Sequence, residues 1–243
     1  MILVIDIGNT SIKIAAVEDY NIILHQRTTQ KEFIKDCTAL LSKFPQITNA
    51  ALCQVGSLEP KLIHQLEKLV AIFKVDTHIR LPFKNLYQST SLGNDRIALV
   101  AGAISRIKKD ENCLIIDAGT CVTYDYVDEN LNYHGGAISP GLRLRYESLH
   151  NFTANLPLLT AQTIESFIGN STAASIHSGV INGLTQEIKG CIKQYRKKNK
   201  DIKIFMTGGD AQLLSTQLKS RFFATPFLTL DGIYYLYQFN KDL

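Results

Sequence analysis

The chain of 243 residues reads as a mixed α/β protein made of two related halves, and three observations carry that reading. The first is Ile2-Leu3-Val4-Ile5-Asp6-Ile7-Gly8-Asn9-Thr10-Ser11-Ile12-Lys13. Here an apolar run leads into an acidic residue, a Gly-Asn turn and then polar/apolar alternation through Ile14. The second is the return of that grammar in Leu114-Ile115-Ile116-Asp117-Ala118-Gly119-Thr120-Cys121-Val122-Thr123. The third is that each half opens with three strands, and in the first half helices and strands then alternate, as a mixed rather than an all-parallel sheet requires. One Asp-x-Gly after a strand is common. Two in matching contexts indicate duplication, with a nucleotide held between the halves.

Taken in order, the first strand turns at Gly8-Asn9, residue types that tolerate the positive φ of a tight hairpin. A third strand is expected over Asn21–Thr28, after the turn Asp19-Tyr20-Asn21. Residues 31–44 carry Phe33, Ile34, Cys37, Leu40 and Leu41 at helical spacing, and Pro45 stops them. Ala50-Ala51-Leu52-Cys53 is a short buried strand, 58–69 an amphipathic helix and Ala71–Val75 another strand. Residues 79–92 are irregular, with Pro82, Asn85 and a Ser89-Thr90-Ser91 cluster. They deliver Gly93-Asn94-Asp95-Arg96 to a helix that reaches about Arg106.

The second half starts with the strand at Leu114, followed by strands over 122–127 and 133–138 around an Asp128-Glu129-Asn130 turn. Gly135-Gly136-Ala137-Ile138-Ser139-Pro140-Gly141 lets backbone approach a neighbour, though a Gly-rich strand end is more often a bulge than a binding surface. A helix then covers 142–152. Gly169-Asn170-Ser171-Thr172 caps a long helix with Ile176, Val180, Leu184, Ile188 and Ile192 at steps of four. Gly179 and Gly183 thin one face of it for close packing, within the chain or across a dimer. Its end, Arg196-Lys197-Lys198-Asn199-Lys200, suits a helix C-terminus and reads as solvated. A buried strand over 202–206 runs into Thr207-Gly208-Gly209-Asp210-Ala211, either a plain βα turn or a place where a ligand lies on backbone. Residues 231–239 form a Tyr-rich amphipathic helix, a core or interdomain contact. The two halves are expected at 1–112 and 113–243.

Composition narrows the function classes. With 45% hydrophobic and 20% charged residues the chain is an ordinary globular protein, and a net charge of +4 suits an anionic small ligand. It falls short of the dense basic patch of a nucleic-acid binder. Cys37, Cys53, Cys113, Cys121 and Cys191 form no C-x-x-C pair and lie mostly in apolar surroundings, which indicates free thiols in a reducing, cytoplasmic setting. No apolar run approaches membrane-spanning length, and no basic leader precedes the first strand. His25, His64, His78, His134, His150 and His177 show no metal-ligand spacing. G-x-S-x-G, G-x-G-x-x-G and the P-loop pattern are all absent, which disfavours hydrolase, Rossmann and P-loop chemistry.

The residues that remain point to phosphate. Asp6 leaves its strand where turn amides converge, and those amides, with Thr10, Ser11 and Lys13, can hold a phosphate while Asp6 faces its metal. For Gly93-Asn94-Asp95-Arg96 two readings stand. Asn94 or Asp95 is a good helix N-cap; equally, a helix N-terminus collects anions and Arg96 can pair with a carboxylate.

In order and separation, the motifs Asp6-x-Gly8-Asn9-Thr10-x-x-Lys13, Gly93-x-Asp95-Arg96, Asp117-x-Gly119-Thr120, Gly135-Gly136-x-Ile138-x-Pro140-Gly141, Gly169-Asn170-Ser171-Thr172 and Thr207-Gly208-Gly209-Asp210 span nearly the whole chain. Together they resemble type III pantothenate kinase, of the actin-like ATPase and acetate and sugar kinase superfamily. The resemblance implies a duplicated ribonuclease-H-like fold with the active site in the cleft between the halves. It also implies ATP-dependent conversion of pantothenate to 4′-phosphopantothenate, the first step toward coenzyme A. By that resemblance Asp6, Ile7, Gly8, Asn9, Thr10, Ser11, Ile12 and Lys13 form the first phosphate loop. Thr120 belongs to the second, and Thr207 to Asp210 lie on the adenosine side. Asp6 reaches Mg²⁺ through water, and Asp117 holds a monovalent cation, K⁺ or NH₄⁺.

Gly93, Asn94, Asp95 and Arg96 match the pantothenate motif, with Asp95 as proton acceptor and Arg96 either meeting the substrate carboxylate or anchoring the loop. Tyr87 is the candidate for an upstream substrate tyrosine, although the usual proline between it and the motif is missing. Thr172 matches a pantothenate contact made across a homodimer interface. The chain departs from the family at Asn94, often Ala or Val, and at Cys121, usually smaller; both fit beside a ligand. Two rivals are a kinase for another small hydroxyl substrate and a non-catalytic nucleotide-binding regulator on the same fold. Retention of Asp95 and the lack of a helix-turn-helix argue against the regulator. Nucleic-acid and membrane partners are not expected.

Overall fold

The computed structural model describes residues 1–89, 92–219 and 223–242, so Thr90 and Ser91 of the Ser-Thr-Ser cluster lie outside the described residues. The chain forms two compact units, Met1–Arg106 together with the stretch from Phe227, and Ile107–Pro226.

In the first unit, β1 (Ile2–Ile7) is buried along its whole length. It pairs antiparallel with β2 (Ile12–Glu18), which pairs antiparallel with β3 (Asn21–Thr28). After α1 (Phe33–Lys43), β4 (Asn49–Gln54) returns parallel to β1; after α2 (Pro60–Glu67), β5 (Ala71–Val75) lies parallel to β4. The strand order is β3-β2-β1-β4-β5. A two-residue strand, β6 (Lys84–Asn85), precedes α3 (Asn94–Ile104). Side chains alternate across a strand, so Leu3, Ile5 and Ile7 pack with Phe33, Cys37, Leu40 and Leu66 on one face. The opposite face of the sheet receives α3. Burial on both faces is why β1 reads as a continuous apolar run rather than an alternation.

The second unit repeats the plan with β7 (Cys113–Ala118), β8 (Cys121–Val127), β9 (Asn132–Pro140), α4 (Leu142–Asn151), α5 (Thr172–His177), α6 (Gly183–Lys198), β10 (Lys203–Thr207), α7 (Ala211–Leu218) and β11 (Phe223–Ala224). β7, β8 and β9 pair antiparallel in succession, while β10 lies parallel to both β7 and β11. The order β11-β10-β7-β8-β9 therefore repeats that of the first unit, and both second strands carry a register shift, after Ala16 and after Tyr126. The second shift is the bulge expected of the Gly-rich strand: Gly135 has φ +82°.

Three features differ from the sequence reading. The β1–β2 connection is not a tight Gly-Asn turn, because neither Gly8 nor Asn9 has positive φ. It is a four-residue loop, 8–11, in which Gly8 N–H donates to Ser11 O at 3.1 Å. The long helix is interrupted by a π-helical turn at Ser178–Asn182. Apolar residues at steps of four overshoot each turn by about 40° in a regular α-helix. The wider π turn absorbs part of that drift, and Ile176, Val180, Leu184, Ile188 and Ile192 all stay buried.

Finally, the C-terminal helix, expected with the second half, belongs to the first unit as α8 (Leu228–Asn240). It packs on α3 and β1. Two glycines make this possible: a Cβ on Gly232 would lie 1.7 Å from Ala98 O, and one on Gly102 would lie 2.2 Å from Leu228 O. Arg106 closes the contact with an ion pair to Asp231 at 2.5 Å.

This contact yields a stability test. Gly232→Ala should destabilise the protein by about 3 kcal/mol, the upper end of ordinary overpacking, seen as a lowered thermal midpoint. Gly190→Ala on α6, where nothing lies within 4 Å of the added carbon, should leave the midpoint unchanged or raise it through better helix propensity.

Candidate active site

Candidate site residues of the first unit gather where β1 and β4 end and β2 begins. Asp6 stands opposite Lys13 in the β1–β2 register and beside Cys53 in the β1–β4 register. Lys13 Nζ donates to Asp6 Oδ2 at 2.9 Å. Between them the 8–11 loop leaves Asn9 and Thr10 exposed, while Ile7 and Ile12 are buried in the strands that carry it and Ser11 closes it. The backbone N–H groups of Val55 and Gly56 both donate to Ile7 O at 2.9 Å, which ties the segment after β4 to the end of β1.

The start of α3 meets this group. Gly93 is the N-cap, so neither Asn94 nor Asp95 takes that place. Asn94 lies one residue into the helix, and its Nδ2 donates to Gln54 O at 3.2 Å, tethering α3 to the end of β4. Asp95 Oδ1 accepts from the N–H of Arg96 at 2.8 Å. Burial, then Asp6, then Asp95 push the Cys53 thiol well up, with Lys13 opposing. Arg96 is buried, with its guanidinium carbon 5.1 Å from the centre of the Tyr87 ring, a cation–π distance. Tyr87 thus braces Arg96. A cavity of about 400 Å³ opens at the strand ends beside Asn94, lined by Gln54, Val55, Gly56, Val75 and Asp76 among others.

In the second unit Asp117 lies near the end of β7, and the two residues Gly119 and Thr120 alone join β7 to β8. Gly119 N–H donates to Cys121 O at 2.9 Å. The turn after β10 presses on this strand end: Gly208 has φ +98°, and a Cβ there would lie 2.3 Å from Ala118 O and 2.5 Å from Asp117 Oδ1. Asp210 N–H donates to Ala118 O at 2.9 Å, and burial raises the Asp210 carboxyl above its ordinary value. Thr123 stands opposite Asp117 in the register, and its Oγ1 is buried with no hydrogen-bond partner among the described residues. A carboxylate and an unpaired hydroxyl are the hard oxygen donors that suit a cation. Thr172, exposed, follows the N-cap Ser171, whose Oγ accepts from Ala174 N–H at 3.2 Å.

Asp6, Lys13, Gly93, Asn94, Asp95, Arg96 and Tyr87 thus belong to one unit, and Asp117, Thr120 and Thr172 to the other. Gln54, Cys53 and Thr123 were not anticipated as site residues. Gln54 had a signal, since it ends an apolar strand as Asp6 and Asp117 do. Thr123 had none until the register paired it with Asp117.

Two sheets that repeat one strand order, each with a carboxylate where its first strand meets a short turn, define the duplicated ribonuclease-H-like class of actin-like ATPases and sugar kinases. Solved structures agree on the fold. A Baf family protein from Campylobacter jejuni matches with a TM-score of 0.65 at 21% identity, covering 99% of this chain and 100% of that one. Glucokinase from an Antarctic psychrotroph matches with a TM-score of 0.51 at 12% identity, over 96% and 97%. The family profile of type III pantothenate kinase covers residues 2–194. The type III pantothenate kinase of Christiangramia forsetii is 47% identical over 99% of both chains. The chain belongs to the type III pantothenate kinase family.

Asp210 offers a pH test. Its folded-state pKa is raised by burial, so its proton contributes stability below the ordinary aspartate range, and that contribution is lost as pH rises through the raised value. Asp210→Asn should therefore unfold later than wild type at pH 7 in urea, with the advantage shrinking as pH falls toward the ordinary aspartate pKa.

Proposed function

We infer that this chain transfers the γ-phosphoryl group of ATP to pantothenate, giving 4′-phosphopantothenate on the way to coenzyme A. The observation that carries the reading is the family match over nearly the full length of the chain, in support of which Lys13 pairs with Asp6 at 2.9 Å and the helix that presents Asp95 is tied to the end of β4 through Asn94 and Gln54. Phosphoryl transfer asks a protein for placement and charge neutralisation more than for covalent help. The 8–11 loop and Lys13 meet the phosphates on the first unit, and Gly119-Thr120 meets them on the second.

Asp95 orients the substrate hydroxyl and accepts its proton as the oxygen bonds to the γ-phosphorus and ADP departs with the bridging oxygen. A free aspartate is a weak base at neutral pH, so the reading relies on where Asp95 is placed. Arg96, braced by Tyr87, and Gly93 and Asn94 shape the pantothenate end. Mg²⁺ bound with ATP would neutralise phosphate charge and would be faced by Asp6 through water, since magnesium dehydrates reluctantly. A monovalent cation, K⁺ or NH₄⁺, would be held by Asp117 with Thr123 opposite.

Thr172 completes a partner's substrate site in a homodimer. In support, Phe152, Phe167 and Ile168 of the same unit are 86%, 73% and 80% exposed, large apolar side chains that a second copy would cover. The five free cysteines suit a reducing, cytoplasmic setting. No helix among the described residues is long and apolar enough to cross a membrane.

The deciding assay is ADP release from ATP with pantothenate present or omitted, in potassium or sodium. Turnover should require pantothenate and be favoured by potassium or ammonium. Asp95→Asn should retain ATP binding and lose about 100-fold or more in kcat, the scale of general-base contributions. A folded protein that binds ATP without turnover would point instead to a nucleotide-binding regulator. Light scattering on a sizing column should give the mass of a dimer.

A further inference from the structure

We infer that Arg145 and Glu187 form a clasp that positions the Gly119-Thr120 turn, making them positioning residues for nucleotide binding. This rests on the reading above that Thr120 contacts the ATP phosphates.

The clasp starts on α6, where Glu187 Oε1 accepts from Tyr124 OH at 2.9 Å and Oε2 accepts from Arg145 Nη2 at 2.5 Å. Arg145, on α4, then grips the end of β9: Nη2 donates to Ser139 Oγ at 3.0 Å and Nε to Pro140 O at 2.8 Å. Gly141 comes next in the chain. Its N–H donates to Thr120 O at 3.1 Å, and a Cβ on it would lie 2.1 Å from Gly119 O. Backbone therefore rests directly on backbone, with no side chain between to absorb a shift. A displacement of the β9 end is therefore felt by the two residues that join β7 to β8.

The chemistry of the pair fits a positioning role. Their side chains are 22% and 29% exposed, more sheltered than the surface pairs that contribute little. Burial pushes the Glu187 carboxyl up, but hydrogen bonds from Arg145, Tyr124 and Ser139 outweigh it and leave the group below its ordinary value, hence ionised. A planar guanidinium with fixed donor directions sets geometry where a lysine ammonium sets only charge. Neither residue needs to touch ATP for the effect.

The test is calorimetric binding of MgADP, with KM values for ATP and pantothenate, in wild type, Arg145→Ala, Arg145→Lys, Glu187→Ala and the double alanine variant. Arg145→Ala and Glu187→Ala should each weaken MgADP binding and raise the ATP KM about tenfold, with the pantothenate KM within about twofold of wild type. Arg145→Lys should recover only part of the loss. The double variant should be no worse than Arg145→Ala, because the two residues act in series. Unchanged MgADP binding in a folded Arg145→Lys or Glu187→Ala protein overturns the clasp, as do ATP and pantothenate KM values that rise together. Absence of MgADP binding in the wild type is a different failure: it removes the nucleotide reading of Thr120 and the clasp with it.

Discussion

Asp6 is only 6% exposed, on a strand whose other five residues are apolar and buried. An ionised carboxylate in such a place costs several kcal/mol, roughly, unless it is paired and hydrogen-bonded. Lys13, directly across the hairpin, supplies the pairing, and the register that places it there follows from the apolar faces of β1 and β2. A one-residue slip would turn every core side chain outward, so the core and the ion pair specify the same alignment. The rest of the first-unit site depends on that alignment. The 8–11 loop hangs from it, Cys53 and Gln54 lie beside it on β4, and α3 is tied to Gln54 through Asn94.

Duplication supplies the second carboxylate, and divergence separates the two roles. Asp117 occupies in β7 the place of Asp6 in β1, but its cross-strand neighbour is Thr123 where Asp6 has Lys13. One position carries a fixed cation from the chain; at the other the facing hydroxyl has no hydrogen-bond partner among the described residues. The loops diverge as well, four residues in the first unit and two in the second. A four-residue loop offers several amides of its own. A two-residue turn must be held from outside: Gly141 brings backbone against the turn itself and Gly208 against the strand end that leads into it.

Helices give each site its rigidity. In the first unit α8 returns from the end of the chain to cover α3, and the glycines at 102 and 232 allow contact that any larger residue would prevent. This holds the helix that presents Asp95. In the second unit the π turn keeps one long apolar stripe facing the core, and the helix beyond it carries Glu187 to Tyr124 and Arg145. Asp210 illustrates the opposing tendency. It starts α7 without a side-chain capping bond while burial raises its carboxyl, a destabilising choice of the kind that function retains.

Most of the architecture was legible in the sequence because it is written in local periodicity. The apolar runs ending in Asp6 and Asp117, the three-strand openings and the helical spacing from Phe33 to Leu41 each depend on residues a few positions apart. The motifs carrying the family resemblance are equally local, and so are the residues that make up the turns after β1 and β7. What sequence could not reveal depended on partners far along the chain. Gly93 caps α3 because Asn94 is drawn to Gln54, forty residues earlier. The last helix joins the first unit because Gly232 fits Ala98. Thr123 acquires meaning only opposite Asp117, and Arg145 only between Ser139, Pro140 and Glu187. The sequence by itself determined the strands, the repeat and the chemistry at each strand end, since hydrophobic period and turn composition act over one or two turns of chain. Only the tertiary structure decided which groups meet, since close backbone contact and buried charge pairing are properties of surfaces that the folded chain brings together.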